Sequence, residues 1–191
     1  MPTISIIYFS GSGHTAKLAE SIQKGAASVN GNTTVHLIPI TGEEINKGRY
    51  QNEEVLAKLD ASDAIIFGSP TYMGGPAAQF KAFADATGER WFKSAWRDKI
   101  AAGFTISNSP SGDKFSTLQY FHTLAMQHGM IWIGLGELPM QSNGGNRLGS
   151  FGGAMAQAGF ESPDIAPNTE DKLTGELLGK RVATFAYALK K

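Results

Sequence analysis

The chain has 191 residues, 41% hydrophobic and 18% charged, with 17 Lys+Arg against 17 Asp+Glu and no cysteine. That length suits one hydrophobic core, so residues 1–191 are expected to form a single domain, and the composition argues against disorder. Balanced charge offers no field to attract nucleic acid or an anionic membrane, and without cysteine any redox function must reside in a cofactor.

No apolar run reaches the roughly 20 residues of a membrane span. The strand-like start from Met1 to Phe9 lacks a signal-peptide n-region, so a cytoplasmic protein is expected. Thr3 to Phe9 is nearly continuously apolar and rich in β-branched residues, which predicts a strand buried on both faces. Thr15 to Val29 carries Leu18, Ala19, Ile22 and Ala26 at helical spacing, with Gly31 as a stop signal. Thr33 to Ile38 then reads as strand, a polar stretch through Glu44 and Arg49 leads to a short helix at Glu53 to Leu59, and Ala64 to Gly68 reads as strand. Ala77 to Ala86 is helix-like, Ile100 to Ile106 strand-like, Ser116 to His128 helix-like and Met130 to Gly134 strand-like, with a last helix within Asp171 to Leu189. Five strands alternating with helices predict an α/β three-layer sandwich around a five-stranded parallel sheet. Gly136 to Asn168, rich in Gly, Ser, Asn and Pro, is long for a connection and is expected to be functional, oligomeric or partly mobile.

Ser10-Gly11-Ser12-Gly13-His14-Thr15 joins the first strand to its helix. Three hydroxyls, two glycines that permit close backbone approach and a helix N-terminus together suit a phosphate monoester. A Ser/Gly turn with Thr15 as helix cap accounts for some of these residues but not for three hydroxyls in one loop. A Walker loop is excluded because no lysine precedes Lys17. Gly11, Gly13 and Ala16 satisfy a dinucleotide fingerprint, yet the second strand ends in Leu37-Ile38-Pro39-Ile40 without the acidic residue that would hold a ribose.

All strands of a parallel sheet end on one side, where ligands bind. The third strand ends in Ser69-Pro70-Thr71-Tyr72-Met73-Gly74-Gly75-Pro76 and the fourth in Ser107-Asn108-Ser109-Pro110-Ser111-Gly112-Asp113. The first offers backbone donors, an aromatic and a thioether for a flat ring, and the second offers small polar groups. Burying roughly 200 Å² of ring is worth on the order of 5 kcal/mol, against up to about 2 kcal/mol for an anion at a helix terminus. The ring should anchor and the phosphate orient. No His, Asp or Glu cluster has ligand spacing, so no metal site is expected.

With these loops, Asp63 to Gly68 running into Pro70-Thr71, the Gln79-Phe80-Lys81 helix, Trp91 after Thr87-Gly88, and His128-Gly129-Met130, the chain resembles the flavodoxin-like family. It is more closely similar to the WrbA-type NAD(P)H:quinone oxidoreductases. The resemblance implies FMN, its phosphate on Ser10, Ser12, Gly13, His14 and Thr15. Its ring would lie against Pro70, Thr71, Tyr72, Met73, Gly74 and Gly75, flanked by Ser107, Asn108, Ser109, Pro110, Gly112 and Asp113. His128 corresponds to a histidine near the flavin and the candidate catalytic residue, although as the end of a helix it also suits a protonated capping role. Trp91 corresponds to an aromatic that a neighbouring subunit places by the acceptor, and Ser12 stands where relatives carry an aromatic, which makes both candidate substrate contacts. The implied activity is two-step electron transfer from NAD(P)H to a quinone by a homo-oligomer, dimer or tetramer. Alternatives are an electron-carrier flavodoxin that docks protein partners and an NAD(P)H-dependent FMN reductase. His36 reads as structural, and His14 as contributing its backbone N–H.

Overall fold

The mostly apolar run Thr3–Phe9 forms β1, with Ile4 to Tyr8 buried because helices cover both faces of the sheet. The computed structural model describes residues 1–29, 33–139 and 143–190, so the stop expected at Gly31 lies outside the described residues. After β1 come α1 (His14–Ala27), β2 (Thr34–Ile40), an antiparallel pair β3 (Ile45–Asn46) and β4 (Arg49–Tyr50), α2 (Glu53–Asp60), β5 (Ala64–Tyr72) and β6 (Gly75–Pro76). The chain continues through α3 (Ala78–Ala86), α4 (Gly88–Phe92), β7 (Ile100–Ser107), α5 (Lys114–Gln127), β8 (Ile131–Trp132), β9 (Ala154–Gln157) and α6 (Thr169–Leu189).

Strands pair in parallel in the order β2-β1-β5-β7, and both β8 and β9 add to β7. β8 lies opposite Ile100 and Ala101, and β9 opposite Phe104 to Ser107. The fifth sheet position is therefore filled by one strand in two pieces, which corrects the expectation of a single strand at Met130 to Gly134. Ile133 still donates to the Ala101 carbonyl at 2.8 Å, but a Cβ on Gly134 would lie 2.5 Å from the Phe151 carbonyl oxygen, and the chain leaves the sheet there. Buried Asn146 ties this excursion down. Its Nδ2 donates to Glu137 at 2.7 Å, its Oδ1 accepts from the Ser150 N–H at 2.8 Å, and its own N–H reaches Thr174 Oγ1 on α6 at 2.9 Å.

The sheet has a core on each face. Ile4, Ile6, Ile66 and Phe104 pack with Leu18 and Ile22 of α1 and Leu178 and Val182 of α6. Ile7, Ile65 and Phe67 pack with Phe80, Phe83, Phe121 and Trp96 on the other side. α1 and α6 touch backbone to backbone: a Cβ at Gly179 would stand 2.0 Å from the Ile22 carbonyl oxygen, and one at Gly25 1.9 Å from that of Glu176. The result is the expected flavodoxin-like α/β sandwich. β1 has β2 on one side and β5 on the other, so the chain reverses direction across the sheet here and the loops after β1 and β5 part to leave a crevice.

Candidate functional site

Helix α1 begins at that crevice. Gly13 precedes it with φ 93°, a left-handed conformation that costs other residues strain, and as the N-cap it has no side chain to cap the helix. Ser10 Oγ accepts from the Ala16 N–H at 3.2 Å, which leaves the first-turn N–H groups of His14 and Thr15 for an anion. Thr15, the second residue of α1, is 1% exposed. The His14 imidazole does more than the sequence suggests. Its Nε2 lies 2.9 Å from the Glu161 carbonyl, which can only accept, so Nε2 carries a proton; Nδ1, 3.0 Å from Ser12 Oγ, accepts from that hydroxyl in the neutral ring. His14 thereby joins the first loop to the segment after β9.

The segment after the third strand is a hairpin rather than the expected open loop. β5 runs on to Tyr72 and pairs with β6, Thr71 opposite Pro76 and Tyr72 opposite Gly75. Met73 (φ 47°) and Gly74 (φ 75°) turn the chain, both left-handed as a two-residue hairpin with the strand's own twist requires. Ser69 fixes its base, with Oγ accepting from the Ala77 N–H at 2.9 Å. Thr71 Oγ1 meets Thr105 Oγ1 and Thr117 Oγ1, each at 2.8 Å, and so stitches β5, β7 and α5 together. Ser116 Oγ contacts the carbonyls of both Gly74 and Asp113, linking the hairpin to the loop after β7.

These loops enclose a cavity of about 460 Å³. Of the residues expected from sequence, Ser12, His14, Thr15, Pro70, Thr71, Tyr72, Met73, Ser107, Asn108, Ser109 and Gly112 line it. Ser10, Gly13, Gly74, Gly75, Pro110 and Asp113 belong to the same loops but do not line it. Ile106 and Ala158 line the cavity and were not expected. Ile106 reads as plain strand core, and Ala158 follows the second piece of the split strand, whose four residues are too few for a periodic signal.

His128 and Trp91 lie elsewhere in the chain. They line a second cavity of about 450 Å³, with Lys81, Thr87, Tyr120 and Gln127, at the far end of α5 from Ser107 to Gly112. His128 is 3% exposed and its ring stacks on Trp96 at 4.5 Å. Thr87 Oγ1 gives its hydrogen to the Ala84 carbonyl at 2.7 Å, so at 2.9 Å from His128 it accepts from Nε2–H, and Nδ1 is left buried without a partner. Burial pushes the imidazole down to about 4, and the protonated cap expected from the helix end is overturned: desolvation outweighs the helix dipole. None of the residues that line the first cavity lines the second. Among the described residues there is no group of three or more His, Cys, Asp or Glu able to hold a metal, and no helix long and apolar enough to cross a membrane.

The sequence profile of the NADPH-dependent FMN reductase family matches residues 4–157. The chain belongs to that family. A crystal structure of a flavodoxin, WrbA-like protein from Agrobacterium tumefaciens is similar over 98% of this chain and 99% of its own, with TM-score 0.77 and 40% identity. The flavodoxin FldP of Pseudomonas aeruginosa is 39% identical over 96% of each chain. An NAD(P)H dehydrogenase (quinone) of Archaeoglobus fulgidus is 34% identical over 99% of this chain and 100% of its own. The chain is thus a flavodoxin-like oxidoreductase of the FMN reductase family, with FMN as cofactor and NAD(P)H as reductant.

The family's cofactor suits the residues present. The first cavity has the start of α1 for the phosphate, and Tyr72, Met73, Ile106 and Ala158 supply apolar lining for the ring. Its volume falls within the range of roughly 300–1,000 Å³ of small-ligand sites. Flavodoxin-like sheets with FMN at this switch point are a known instance of the crevice rule.

Proposed function

We propose that FMN lies in the cavity between Thr15, Tyr72 and Ser109, and that the protein passes electrons from NAD(P)H to a quinone in two successive half-reactions. The observation that carries this reading is the single cavity that joins an anion-binding helix start to an aromatic-lined hairpin. FMN, when bound, supplies the two-electron chemistry between nicotinamide and acceptor. The first-turn N–H groups and the Thr15 hydroxyl hold its phosphate. Tyr72 and Met73 flank the ring, and exposed backbone N–H groups of the Tyr72–Gly75 turn stabilise negative charge at its polar edge. The two reactants use one site in turn, so Ser12 meets each of them. Trp91 and His128 come to the acceptor side from a neighbouring copy, in a homo-oligomer that works in the cytoplasm.

The test is an absorbance spectrum of the purified protein, then NADH and NADPH oxidation with benzoquinone under air and under argon. Bound flavin, quinone-dependent turnover and parallel double-reciprocal lines are expected. Lines that intersect, as a ternary complex requires, exclude the two-step scheme. A second reading, an electron carrier for protein partners, is favoured by the 39% identity to a relative named flavodoxin. It predicts bound FMN that NAD(P)H reduces too slowly to sustain turnover.

A further inference from the structure

Lys114 has no part in this scheme, yet its setting is unusual. It is 1% exposed and is the first residue of α5, the positive end of the helix dipole, where the only acidic neighbour in the chain is the N-cap Asp113, which makes no side-chain capping bond. A lysine in such a place needs compensation, and the loop after β7 provides it. Nζ donates to Ser107 Oγ at 2.9 Å, to the Ser109 carbonyl at 2.9 Å and to the Pro110 carbonyl at 2.8 Å, so all three ammonium hydrogens serve one loop. Ser107 gives its own hydrogen to the Ser109 carbonyl at 2.9 Å and so faces Lys114 as an acceptor. The loop is closed tightly around these bonds: a Cβ at Gly112 would lie 2.1 Å from Ser107 Oγ. Ser107, Ser109 and Gly112 are walls of the first cavity, which puts the buried cation directly behind its lining.

We infer that Lys114 is the positioning residue of this loop and that its charge strengthens the cavity's hold on anionic FMN, so that cofactor affinity falls as Lys114 loses its proton. This rests on the FMN reading above. The charged groups that face Lys114 are Asp171 of α6 and Arg147 of the excursion between β8 and β9. Asp171, fully buried, pairs with Arg147 Nε at 2.8 Å and accepts from the Gln157 N–H at 2.8 Å, so its charge is largely committed to others. Burial moves Lys114 from 10.5 down to about 8; Asp171 opposes this shift and Arg147 adds to it. Above that pH the neutral amine has two hydrogens for three acceptors. Either a carbonyl loses its donor, or the Ser107 hydroxyl turns toward Nζ and releases Ser109. A bound anion favours the charged form, so by linkage FMN binding near this pH takes up a proton and weakens as pH rises.

The experiment measures FMN dissociation from the intact holoprotein as recovery of flavin fluorescence on dilution, at pH 7 and pH 9 and constant ionic strength. It uses the wild type, Lys114→Arg and Lys114→Met, with circular dichroism to verify folding. Wild-type Kd is expected to rise about three- to tenfold between the two pH values. Lys114→Arg, which keeps its charge, should show little change, and Lys114→Met should bind weakly at both. Equal pH dependence in wild type and Lys114→Arg, or wild-type affinity in Lys114→Met, overturns the inference. Should Lys114→Met not fold, the comparison of wild type with Lys114→Arg decides alone. A wild type that takes up no FMN at pH 7 is a different result, because it removes the cofactor assignment itself.

Discussion

Thr15 sits where side-chain and backbone donors converge, almost fully buried yet forming cavity wall. Hydrogen bonds to charged groups are worth about 1.5–3 kcal/mol, so Thr15→Ala should weaken FMN binding by roughly 10- to 100-fold and leave riboflavin, which has no phosphate, unaffected. Paired fluorescence titrations with the two flavins measure this. Met73 is held left-handed at φ 47° with its side chain fully exposed, a conformation that glycine adopts without penalty. Met73→Gly should keep or slightly raise the thermal midpoint while loosening both flavins alike, which separates ring contact from fold. His128 bears on stability. Its imidazole stands at about 4 instead of 6.5, so between those values the unfolded chain binds a proton that the folded one refuses. Stability therefore rises with pH through that window and this contribution levels off above it. In urea unfolding at pH 5 and pH 7.5, the gap between midpoints should be narrower for His128→Leu than for the wild type.

At the level of elements, the contact between α1 and α6 is the most sensitive. A methyl at Gly179 meets backbone 2.0 Å away, not a side chain that can turn aside, so the helices must separate. Gly179→Ala should cost at least about 1–3 kcal/mol, read as a lowered urea midpoint at unchanged slope. Gly152→Ala, with no atom within 4 Å of the new carbon, is the control and should be neutral. The order of strands and helices was readable because each long element declares itself: Thr3–Phe9 by its apolar run, α1 by Leu18, Ala19, Ile22 and Ala26 at helical spacing. Pieces of two to four residues, such as β8, β9 and the β3–β4 pair, carry no period and emerge only from pairing. The Tyr72–Gly75 hairpin was hidden for a related reason: β5 continues through Pro70, which sequence reading takes as an end.

For the whole molecule, the proposed sharing of Trp91 and His128 between copies has a direct test. Trp91 and Phe92 are exposed and apolar beside the second cavity, as a surface covered by a partner would be. A Thr15→Lys variant, which blocks its own phosphate loop, and a Trp91→Ala variant should each have low quinone reductase activity. Mixed under conditions of subunit exchange they should recover part of it, and mixtures no better than the average of the two exclude a shared site. By itself the sequence determined the sandwich class and the three strand-end segments whose residues line the first cavity, since these follow from local pattern and from the rule that parallel strands end together. Tertiary structure alone decided that the fifth strand is split, that Ala158 reaches the cavity, that Lys114 is buried beneath it, and that His128 is neutral and remote from it within one chain. Each of these depends on which residues distant in sequence come into contact and on how much water they exclude, and neither is written in the spacing of residue types.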